Sequence, residues 1–435
     1  MSIVLDALYL LVLLACSPAL VYRSWKTGRY RQGWAEKVLG KAPWRIGEGP
    51  CIWFHAVSVG EVMLLRPLVA EIERRRPGWQ VVVSTTTQTG LAVARKTFPD
   101  LVTFYAPMDF SWATRRAMSR VNPTVLALVE LEIWPNLVAA AKEQGARVAI
   151  INGRLSRRSH AGYRRIRVPL ASTLRRIDAV AAQSQGYADR FVDLGVPDER
   201  VRVTGSVKYD GLESDRGNAR TRALRQQLGL APTDLIFVAG STMEGEEEAA
   251  LAAYLEARTL HPRLRLVLVP RHPERFDRVA SMVERSGERV LRRTDIEPVA
   301  CVGGAPPVLL VDTVGELAAV WGLADVAFVG GSLKPGRGGQ NMMEPAAYGS
   351  AVLFGRYTAN FRETVEHLLS VGGARAVADG RELTEALVDA LEDPESAADR
   401  GAAARKFVLA QEGATSRTLG TLDRLVGPVM AEITA

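Results

Sequence analysis

Short apolar runs alternate with longer helix-like stretches from Cys51 almost to the end of the chain. Near-continuous apolar strands linked by helices are typical of a parallel sheet covered on both faces, so the pattern predicts an α/β fold. Helices such as Val62–Arg76 and Trp134–Gln144 are predicted between the strands. The predicted strands are Cys51–Ala56, Gln80–Ser84, Leu101–Tyr105, Thr124–Val129, Arg147–Ile151, Ala179–Ala182, Val201–Thr204, Leu235–Ala239, Leu264–Pro270, Val308–Asp312, Asp325–Val329 and Ala351–Phe354.

The polar stretch Leu212–Ala223 interrupts this alternation. Two doubly wound, Rossmann-like domains joined near this stretch are the economical architecture for a chain of 435 residues. The predicted segments are an N-terminal membrane anchor (1–22), a basic juxtamembrane segment (23–50), a first domain (51–211), a linker (212–232), a second domain (233–394) and C-terminal helices that could pack back on the first domain (395–435).

The N-terminal stretch Ile3–Val21 is apolar apart from Asp6 and approaches the ~20 residues that a membrane-spanning helix needs. Basic residues follow it, and the positive-inside rule then places the rest of the chain in the cytoplasm. We therefore expect one spanning anchor. Asp6 and Pro18 leave open a helix that lies in the membrane interface or is buried against protein. The basic residues are Arg23, Lys26, Arg29, Arg31 and Lys37.

Charge and cysteine usage limit the partners and cofactors. The formal net charge of +7 indicates acidic partners such as phosphates, anionic lipid or nucleic acid. Cys16, Cys51 and Cys301 are scattered without a CxxC pair, so neither a zinc site nor a disulfide framework is predicted. No HExxH or similar metal-ligand spacing occurs, and we expect a site that works without metal or other cofactor.

The stretch Gly330–Gly349 is rich in glycine and follows the predicted strand Asp325–Val329. Glycine lets the backbone approach a ligand closely, and the N–H groups at a helix start attract anions. Glu344, near that helix start, could accept both hydroxyls of a ribose. The pattern predicts a nucleotide site; the alternative is a tight strand–helix turn that merely requires glycine.

Polar residues beyond the carboxyl ends of the strands are the candidates for chemistry, because ligands of open parallel sheets bind there. Glu61 follows Ser58 at the start of the helix after the first strand. A carboxylate in this place could act as the general base for a hydroxyl nucleophile. The alternative is a glutamate that only complements the helix dipole.

Arg271 directly follows an apolar run. Its planar guanidinium group suits phosphate recognition, because its N–H groups can bind two phosphate oxygens at once. The alternative is an arginine that forms a surface salt bridge. Ser241 and Thr242 could donate hydrogen bonds to a phosphate or base, or could cap the following helix. Glu246–Glu248 are interpreted as a solvated helix face.

A cluster of arginines surrounds Tyr163. Next to a membrane anchor, such a cluster indicates contact with lipid phosphates. Nucleic acid is disfavoured because no nucleic-acid-binding motif is present, and a merely solvated basic face is the other alternative. The cluster consists of Arg154, Arg157, Arg158, Arg164, Arg165 and Arg167.

Taken in order and spacing, the motifs of this chain resemble those of the 3-deoxy-D-manno-octulosonic acid (Kdo) transferases of lipopolysaccharide assembly. The resemblance covers nearly the whole chain. It is carried by HAVSVGE at 55–61, ELEIWPN at 130–136, INGRLSRRS at 151–159, GSVKYD at 205–210, GSTMEGEE at 240–247, VPRHPERF at 269–276, GEL at 315–317 and GGSLKPGRGGQNMMEPAAYG at 330–349.

The resemblance implies a GT-B glycosyltransferase, in which an acceptor-binding and a CMP-sugar-binding Rossmann-like domain face each other across a cleft. It implies inverting, metal-independent transfer of Kdo from CMP-Kdo to a hydroxyl of a lipid A precursor (lipid IVA). The implied location is the cytoplasmic side of the inner membrane, with anionic lipid as a further partner and no nucleic acid.

The resemblance also assigns residues. Glu61 becomes the base that deprotonates the acceptor. The implied CMP site consists of Pro270, Arg271, Gly315, Glu316, Leu317, Asn341, Met342, Met343 and Glu344. Further donor-side candidates are Lys208, Ser241 and Thr242, and acceptor-side candidates are Glu130, Glu132, Arg154 and Arg157.

Two positions depart from the family pattern: Met243 and Gln340 stand where histidine is usual. The departures put the fine geometry of the donor site in question rather than the reaction. Rival interpretations are a GT-B sugar-nucleotide epimerase, another membrane-associated nucleotide-sugar glycosyltransferase, and a non-catalytic module that binds nucleotide or lipid.

Overall fold

The computed structural model describes residues 2–27, 32–295 and 306–427. Arg29, Arg31 and Cys301, which the sequence analysis considered, lie outside the described residues. The chain forms two compact units: residues 1–210 with 411–435, and residues 211–410. Each unit is described by itself below.

The first unit is built on a seven-stranded, all-parallel sheet in the order β3-β2-β1-β4-β5-β6-β7. Side chains alternate across it. On β1, Trp53 enters the core on one face, whereas Ile52 and Phe54 enter the core on the other. The strands are β1 Cys51–His55, β2 Gln80–Thr85, β3 Val102–Tyr105, β4 Val125–Val129, β5 Arg147–Gly153, β6 Ala179–Ala182 and β7 Val201–Val203.

The second unit also contains a seven-stranded, all-parallel sheet, in the order β10-β11-β9-β8-β12-β13-β14. Its strands are β8 Leu235–Thr242, β9 Leu264–Pro270, β10 Val290–Arg292, β11 Val308–Leu310, β12 Val326–Val329, β13 Ala351–Gly355 and β14 Ala374–Val377. The two parallel sheets confirm the predicted α/β class. The edge strands β10 and β14 were not predicted; each is short and carries an arginine, as does the edge strand β7, which was predicted.

Helices connect the strands in both units, and α18 packs against α3 in the first unit. The helices of the first unit are α1 Ser2–Thr27, α2 Trp34–Leu39, α3 Val59–Arg75, α4 Gln88–Thr97, α5 Ser111–Val121, α6 Pro135–Glu143, α7 Arg157–Arg165, α8 Arg167–Leu174, α9 Gln185–Leu194 and α18 Ala414–Val426. The helices of the second unit are α10 Ala219–Gln227, α11 Glu246–Leu260, α12 Phe276–Arg285, α13 Leu317–Trp321, α14 Met343–Ala347, α15 Arg362–Ser370, α16 Gly380–Glu392 and α17 Pro394–Ala410.

Helix α1 corrects the prediction of a membrane-spanning anchor at Ile3–Val21. Among the described helices, none combines the length and the apolar character that crossing a membrane requires. Asp6 is the physical reason why α1 differs from a free anchor. Its buried carboxylate accepts hydrogen bonds from the Ser111 main-chain N–H (2.9 Å) and hydroxyl (2.5 Å) and from the Asn136 amide (3.2 Å). These bonds attach the start of α1 to the folded part of the first unit.

Candidate functional site

Glu61 lies in the first turn of α3, where it exchanges capping hydrogen bonds with the N-cap residue Ser58. The Ser58 hydroxyl accepts from the Glu61 main-chain N–H (3.3 Å) and donates to Glu61 Oε1 (2.9 Å). Glu61 Oε2 accepts from the Val57 N–H (2.7 Å). The carboxylate is therefore held rigidly beside the carboxyl end of β1. Capping accounts for its geometry but leaves its protonation to be decided by its surroundings.

Burial raises the pKa of Glu61 to about 7, because desolvation disfavours the charged carboxylate. The hydrogen bonds from Val57 and Ser58 favour the carboxylate and partly offset this, whereas the negative charges of Glu132 and Glu130 raise the pKa further. Of the two effects that the sequence left in balance, burial therefore outweighs the helix start. A carboxyl group with a pKa near neutrality can exchange protons at physiological pH.

Glu130 and Glu132, predicted on the acceptor side, follow β4 and lie in the same electrostatic neighbourhood as Glu61. Glu130 adopts a left-handed backbone (φ 59°), a sparsely populated conformation that tends to occur at functional sites. Its Oε1 accepts a 3.0 Å hydrogen bond from Lys208 Nζ. Glu132 accepts from the Trp134 indole N–H at 2.7 Å, and burial raises the pKa of Glu132. Lys208, which was predicted on the donor side, thus lies in the first unit and forms an ion pair with Glu130.

His55 is a residue that the sequence analysis did not select, although it opens the HAVSVGE motif. It is fully buried at the end of β1, and burial lowers its pKa to about 4, so that the ring is neutral. Nδ1 lies 3.0 Å from the Ser84 hydroxyl, and Nε2 has no hydrogen-bond partner among the described residues. The Trp134 ring packs edge-on against it, with ring centroids 5.1 Å apart. His55 therefore connects β1 to the segment that carries Glu132.

The predicted basic cluster lies on and beside α7 and α8. Arg157 is exposed at the start of α7, which buries none of its residues. Arg154 is half-buried, and its Nε donates to the Tyr187 hydroxyl at 3.4 Å. Arg164 contacts the Asp193 carboxylate at 3.6 Å. The arginines of α7 and α8 thus present charge to solvent, while Arg154 also supports the neighbouring helix α9.

In the second unit, the first N–H groups of the glycine-rich loop already have an internal acceptor. The carboxylate of Glu246 accepts from the main-chain N–H groups of Gly331 (2.6 Å), Ser332 (2.8 Å) and Leu333 (2.9 Å). A Cβ on Gly330 would lie 2.6 Å from Ser241 O, so glycine is needed there for close packing. An internal carboxylate therefore occupies the N–H groups that follow β12, which leaves none of these three for a phosphate.

Glu246 and Glu247 also correct the interpretation of residues 246–248 as a solvated face. Their exposed fractions are 1% and 0%, and only Glu248 is exposed. Glu247 receives a bidentate ion pair from Arg275 (2.6 and 2.9 Å) and a hydrogen bond from the Thr242 hydroxyl (2.9 Å). The Thr242 hydroxyl is thus committed to an internal network. The ion-pair partner Arg275 and the Gly331 N–H group that binds Glu246 lie 28 and 85 residues along the chain, so the local sequence carries no signal of this burial.

Arg271 and Glu344, predicted to bind the phosphate and ribose of CMP, lie close enough for their charges to interact. Burial raises the pKa of Glu344, and the positive charge of Arg271 partly opposes this. Asn341 Nδ2 donates to Glu344 Oε1 at 2.9 Å, and Asn341 Oδ1 accepts from the Met343 N–H at 3.1 Å. The Arg271 main-chain N–H donates to Thr242 O (3.0 Å), and its side chain is exposed. The structure therefore brings Arg271, Asn341 and Glu344 together.

The other predicted donor-site residues differ in which of their atoms remain available to a ligand. The side chains of Met342 and Met343 are buried in the core, which leaves their main chain for ligand contacts. Ser241 is buried and has a left-handed backbone (φ 54°) near the end of β8, which pairs with the end of β9 at Pro270. Glu316 accepts from Arg293 (3.2 Å) and lies between Gly315 (φ 97°) and Leu317, the first residue of α13.

Comparison with known proteins supplies the context for these two sites. A sequence profile described as 3-deoxy-D-manno-octulosonic-acid transferase (kdotransferase) matches residues 28–211. A 3-deoxy-D-manno-octulosonic acid transferase of Haemophilus influenzae is 34% identical over 423 residues, covering 95% of this chain and 97% of that protein. One from Bordetella pertussis is 33% identical over 444 aligned positions, covering 96% and 99%.

Among solved structures, the UDP-GlcNAc 2-epimerase from Neisseria meningitidis bound to UDP-GlcNAc matches with a TM-score of 0.59. The match covers 86% of this chain and 99% of the epimerase at 14% identity. At so low an identity, the likeness concerns the fold alone.

Proposed function

The chain belongs to the family of 3-deoxy-D-manno-octulosonic acid (Kdo) transferases, and we propose that it transfers Kdo from CMP-Kdo to a hydroxyl of a lipid A precursor such as lipid IVA. The proposed reaction inverts the configuration at the anomeric carbon and uses no metal. The observation that carries this proposal is Glu61, a rigidly held carboxyl group whose pKa of about 7 suits proton exchange with a hydroxyl.

In the proposed mechanism, Glu61 is the general base. The acceptor hydroxyl gives its proton to the Glu61 carboxylate while its oxygen forms a bond to the anomeric carbon of Kdo. The bond between that carbon and the CMP phosphate oxygen breaks, and CMP leaves with the electron pair. The negative charges of Glu130 and Glu132 help here, because they raise the proton affinity of Glu61. Lys208 orients Glu130 through the hydrogen bond from its Nζ.

The proposed donor site lies in the second unit. Arg271 contacts the phosphate, and Glu344, oriented by Asn341, accepts the ribose hydroxyls. The proposed site is completed by Pro270, Ser241 and the segments Gly315–Leu317 and Asn341–Glu344. Met342 and Met343 contribute main-chain atoms. Because Glu246 occupies the N–H groups of Gly331, Ser332 and Leu333, these three are not counted among the donors to the leaving phosphate, and Arg271 is the proposed source of positive charge.

The proposed setting is the cytoplasmic face of the inner membrane, where the lipid acceptor is found. The exposed arginines of α7 and α8, Arg157 among them, supply positive charge for anionic lipid headgroups. Arg154 and Arg157 are in this way proposed on the acceptor side, together with Glu130 and Glu132. Nucleic acid has no part in the proposal.

The test is incubation of the purified protein with CMP-Kdo and lipid IVA, followed by CMP release, product mass and the anomeric configuration by NMR. We expect CMP release and a product heavier by Kdo, with inverted configuration. Glu61→Gln should abolish transfer while CMP binding is retained. Transfer by Glu61→Gln at the wild-type rate would contradict the assignment of the base.

A control reaction addresses the epimerase rival, with which this chain shares its fold. The protein is incubated with UDP-N-acetylglucosamine alone, and we expect no isomer. Isomer formation without an acceptor, combined with no CMP release from CMP-Kdo, would favour the epimerase interpretation.

A further inference from the structure

An apolar pocket lies between α1 and the segment 108–110 with 133–135, all within the first unit. Its volume is 460 Å³, within the ~300–1,000 Å³ of typical small-molecule sites. Val12, Leu13 and Cys16 of α1 form one wall, and Phe110, Ile133 and Trp134 form much of the other. The pocket plays no part in the proton transfer proposed above.

The polar groups of this pocket already satisfy one another. Asp109 Oδ1 accepts from the Leu137 N–H (2.8 Å), and Oδ2 accepts from the Asn136 N–H (3.2 Å) and the Tyr9 hydroxyl (3.2 Å). The Trp134 indole N–H is used by Glu132. A polar ligand would therefore lose its hydrogen bonds to water without replacing them, whereas a hydrocarbon loses none. The chemistry of the lining selects an apolar guest.

The pocket shares one lining residue, Trp134, with the surroundings of the candidate acceptor site. Trp134 lines the pocket and also packs edge-on against His55, at the end of the strand that leads to Glu61. Glu132, hydrogen-bonded to the same Trp134, is near enough to raise the pKa of Glu61. Trp134 and Glu132 thus link the apolar pocket to the surroundings of Glu61. Cys16, on the α1 side of the pocket, is exposed to solvent.

We propose that this pocket binds one hydrocarbon chain of the lipid acceptor and so helps to select acylated over non-acylated sugars. The inference rests on the proposed function, since the acceptor has to be a lipid. It assigns to α1 a role in substrate selection that is independent of how the helix meets a membrane.

The first test fills the pocket with Leu13→Trp and compares it with Leu14→Trp, one residue further along α1, where the side chain is 71% exposed and does not line the pocket. Transfer is measured with a long-chain acceptor and with the same headgroup carrying shortened chains. We expect Leu13→Trp to raise KM for the long-chain acceptor about tenfold, the factor that corresponds to about 1.4 kcal/mol of binding. KM for the short-chain acceptor should stay unchanged, and Leu14→Trp should change neither.

An equal rise of KM for both acceptors, or no rise, would overturn the inference while the proposed function stands. Absence of CMP release by the wild-type protein with either acceptor would instead refute the proposed function. The two failures are therefore distinguishable.

A second measurement needs no turnover. In a Cys301→Ser chain, maleimide labels exposed Cys16, whereas Cys51 is buried and burial raises its pKa to about 11, which keeps it unreactive. Labelling is followed in one detergent with either acceptor. Slower labelling with the long-chain acceptor alone supports a chain in the pocket. Equal labelling rates with both acceptors would overturn it, whatever the folding of the tryptophan variants.

Discussion

The carboxylate of Glu246 accepts a 2.6 Å hydrogen bond from the main-chain N–H of Gly331, across 85 residues of sequence. The same side chain bonds the N–H groups of Ser332, Leu333 and Met243. In a loop that resembles a phosphate-binding loop, these N–H groups are therefore bound by a carboxylate of the protein itself. This arrangement fixes the glycine loop before any donor binds.

Removing this carboxylate should be costly. Glu246→Ala leaves three buried N–H groups and one partly buried N–H group without an acceptor, and we expect a loss of about 3–5 kcal/mol in unfolding free energy. Glu248→Ala is the matched control, since Glu248 is exposed on the same helix, and should stay within about 0.5 kcal/mol of wild type. Urea titration measures both. Similar values for the two variants would show that the Glu246 bonds contribute little.

The ion pair between Arg275 and Glu247 gives a second prediction. Arg275→Met leaves the buried Glu247 carboxylate without its main partner, which should cost about 3–5 kcal/mol in unfolding free energy. Arg278→Met, which removes the exposed pair with Glu244, should cost less than about 1 kcal/mol. In the double variant Glu247→Gln/Arg275→Met, much of the loss should be recovered. If the double variant lost the sum of the unfolding free energies lost by the two single variants, Arg275 and Glu247 would not be coupled.

Arg271 provides a test of the donor site. Arg271→Met should weaken CMP binding, measured by calorimetry, by about tenfold to a hundredfold, because charge-assisted hydrogen bonds to phosphate are lost. The folded structure should be unaffected, since the Arg271 side chain is exposed. Arg278→Met serves as the control for total charge. Equal CMP affinity in the wild type and Arg271→Met would exclude Arg271 from the phosphate site.

Asp109 should make the stability of the first unit depend on pH. Burial raises the pKa of Asp109 from 3.8 to about 6, so the folded chain holds a proton that the unfolded chain has released between these values. The unfolding free energy should therefore fall, by about 3 kcal/mol at most, as the pH rises from about 4 to about 6. Asp109→Asn should flatten this dependence. Denaturant titrations across this pH range measure it, and an unchanged slope in the variant would contradict the assignment.

The strands of the buried sheets are readily predicted, because runs such as Leu264–Pro270 are apolar and end in the structure at the predicted residues. Val290–Arg292 was missed because an edge strand buries little and so needs no apolar run. Glu246 and Glu247 were misjudged for a different reason. Three successive glutamates at a helix start read as solvated, and the groups that bury two of them lie about 30 and 85 residues away.

For the predicted anchor α1 and for Glu61, the local sequence likewise does not contain the distant residues that determine the outcome. Asp6 in an apolar run was only a reason for doubt, yet its bonds to Ser111 and Asn136 attach α1 to the first unit. For Glu61, the sequence placed the carboxylate at a helix start but left open whether burial or the helix dipole governs its pKa. Burial is the largest cause of the raised pKa, and Glu132 and Glu130, which are distant along the chain, raise it further.

The pH dependence of kcat/KM in the wild type and in Glu132→Gln tests the central claim most directly. Glu61 has to be deprotonated to act as a base, so wild-type activity should rise with pH and reach half its maximum near the Glu61 pKa of about 7. The negative charge of Glu132 raises that pKa, so Glu132→Gln should move the half-maximum to lower pH. A half-maximum that stays in place in Glu132→Gln, or a wild-type profile without this rise, would contradict the assignment of Glu61 as the base.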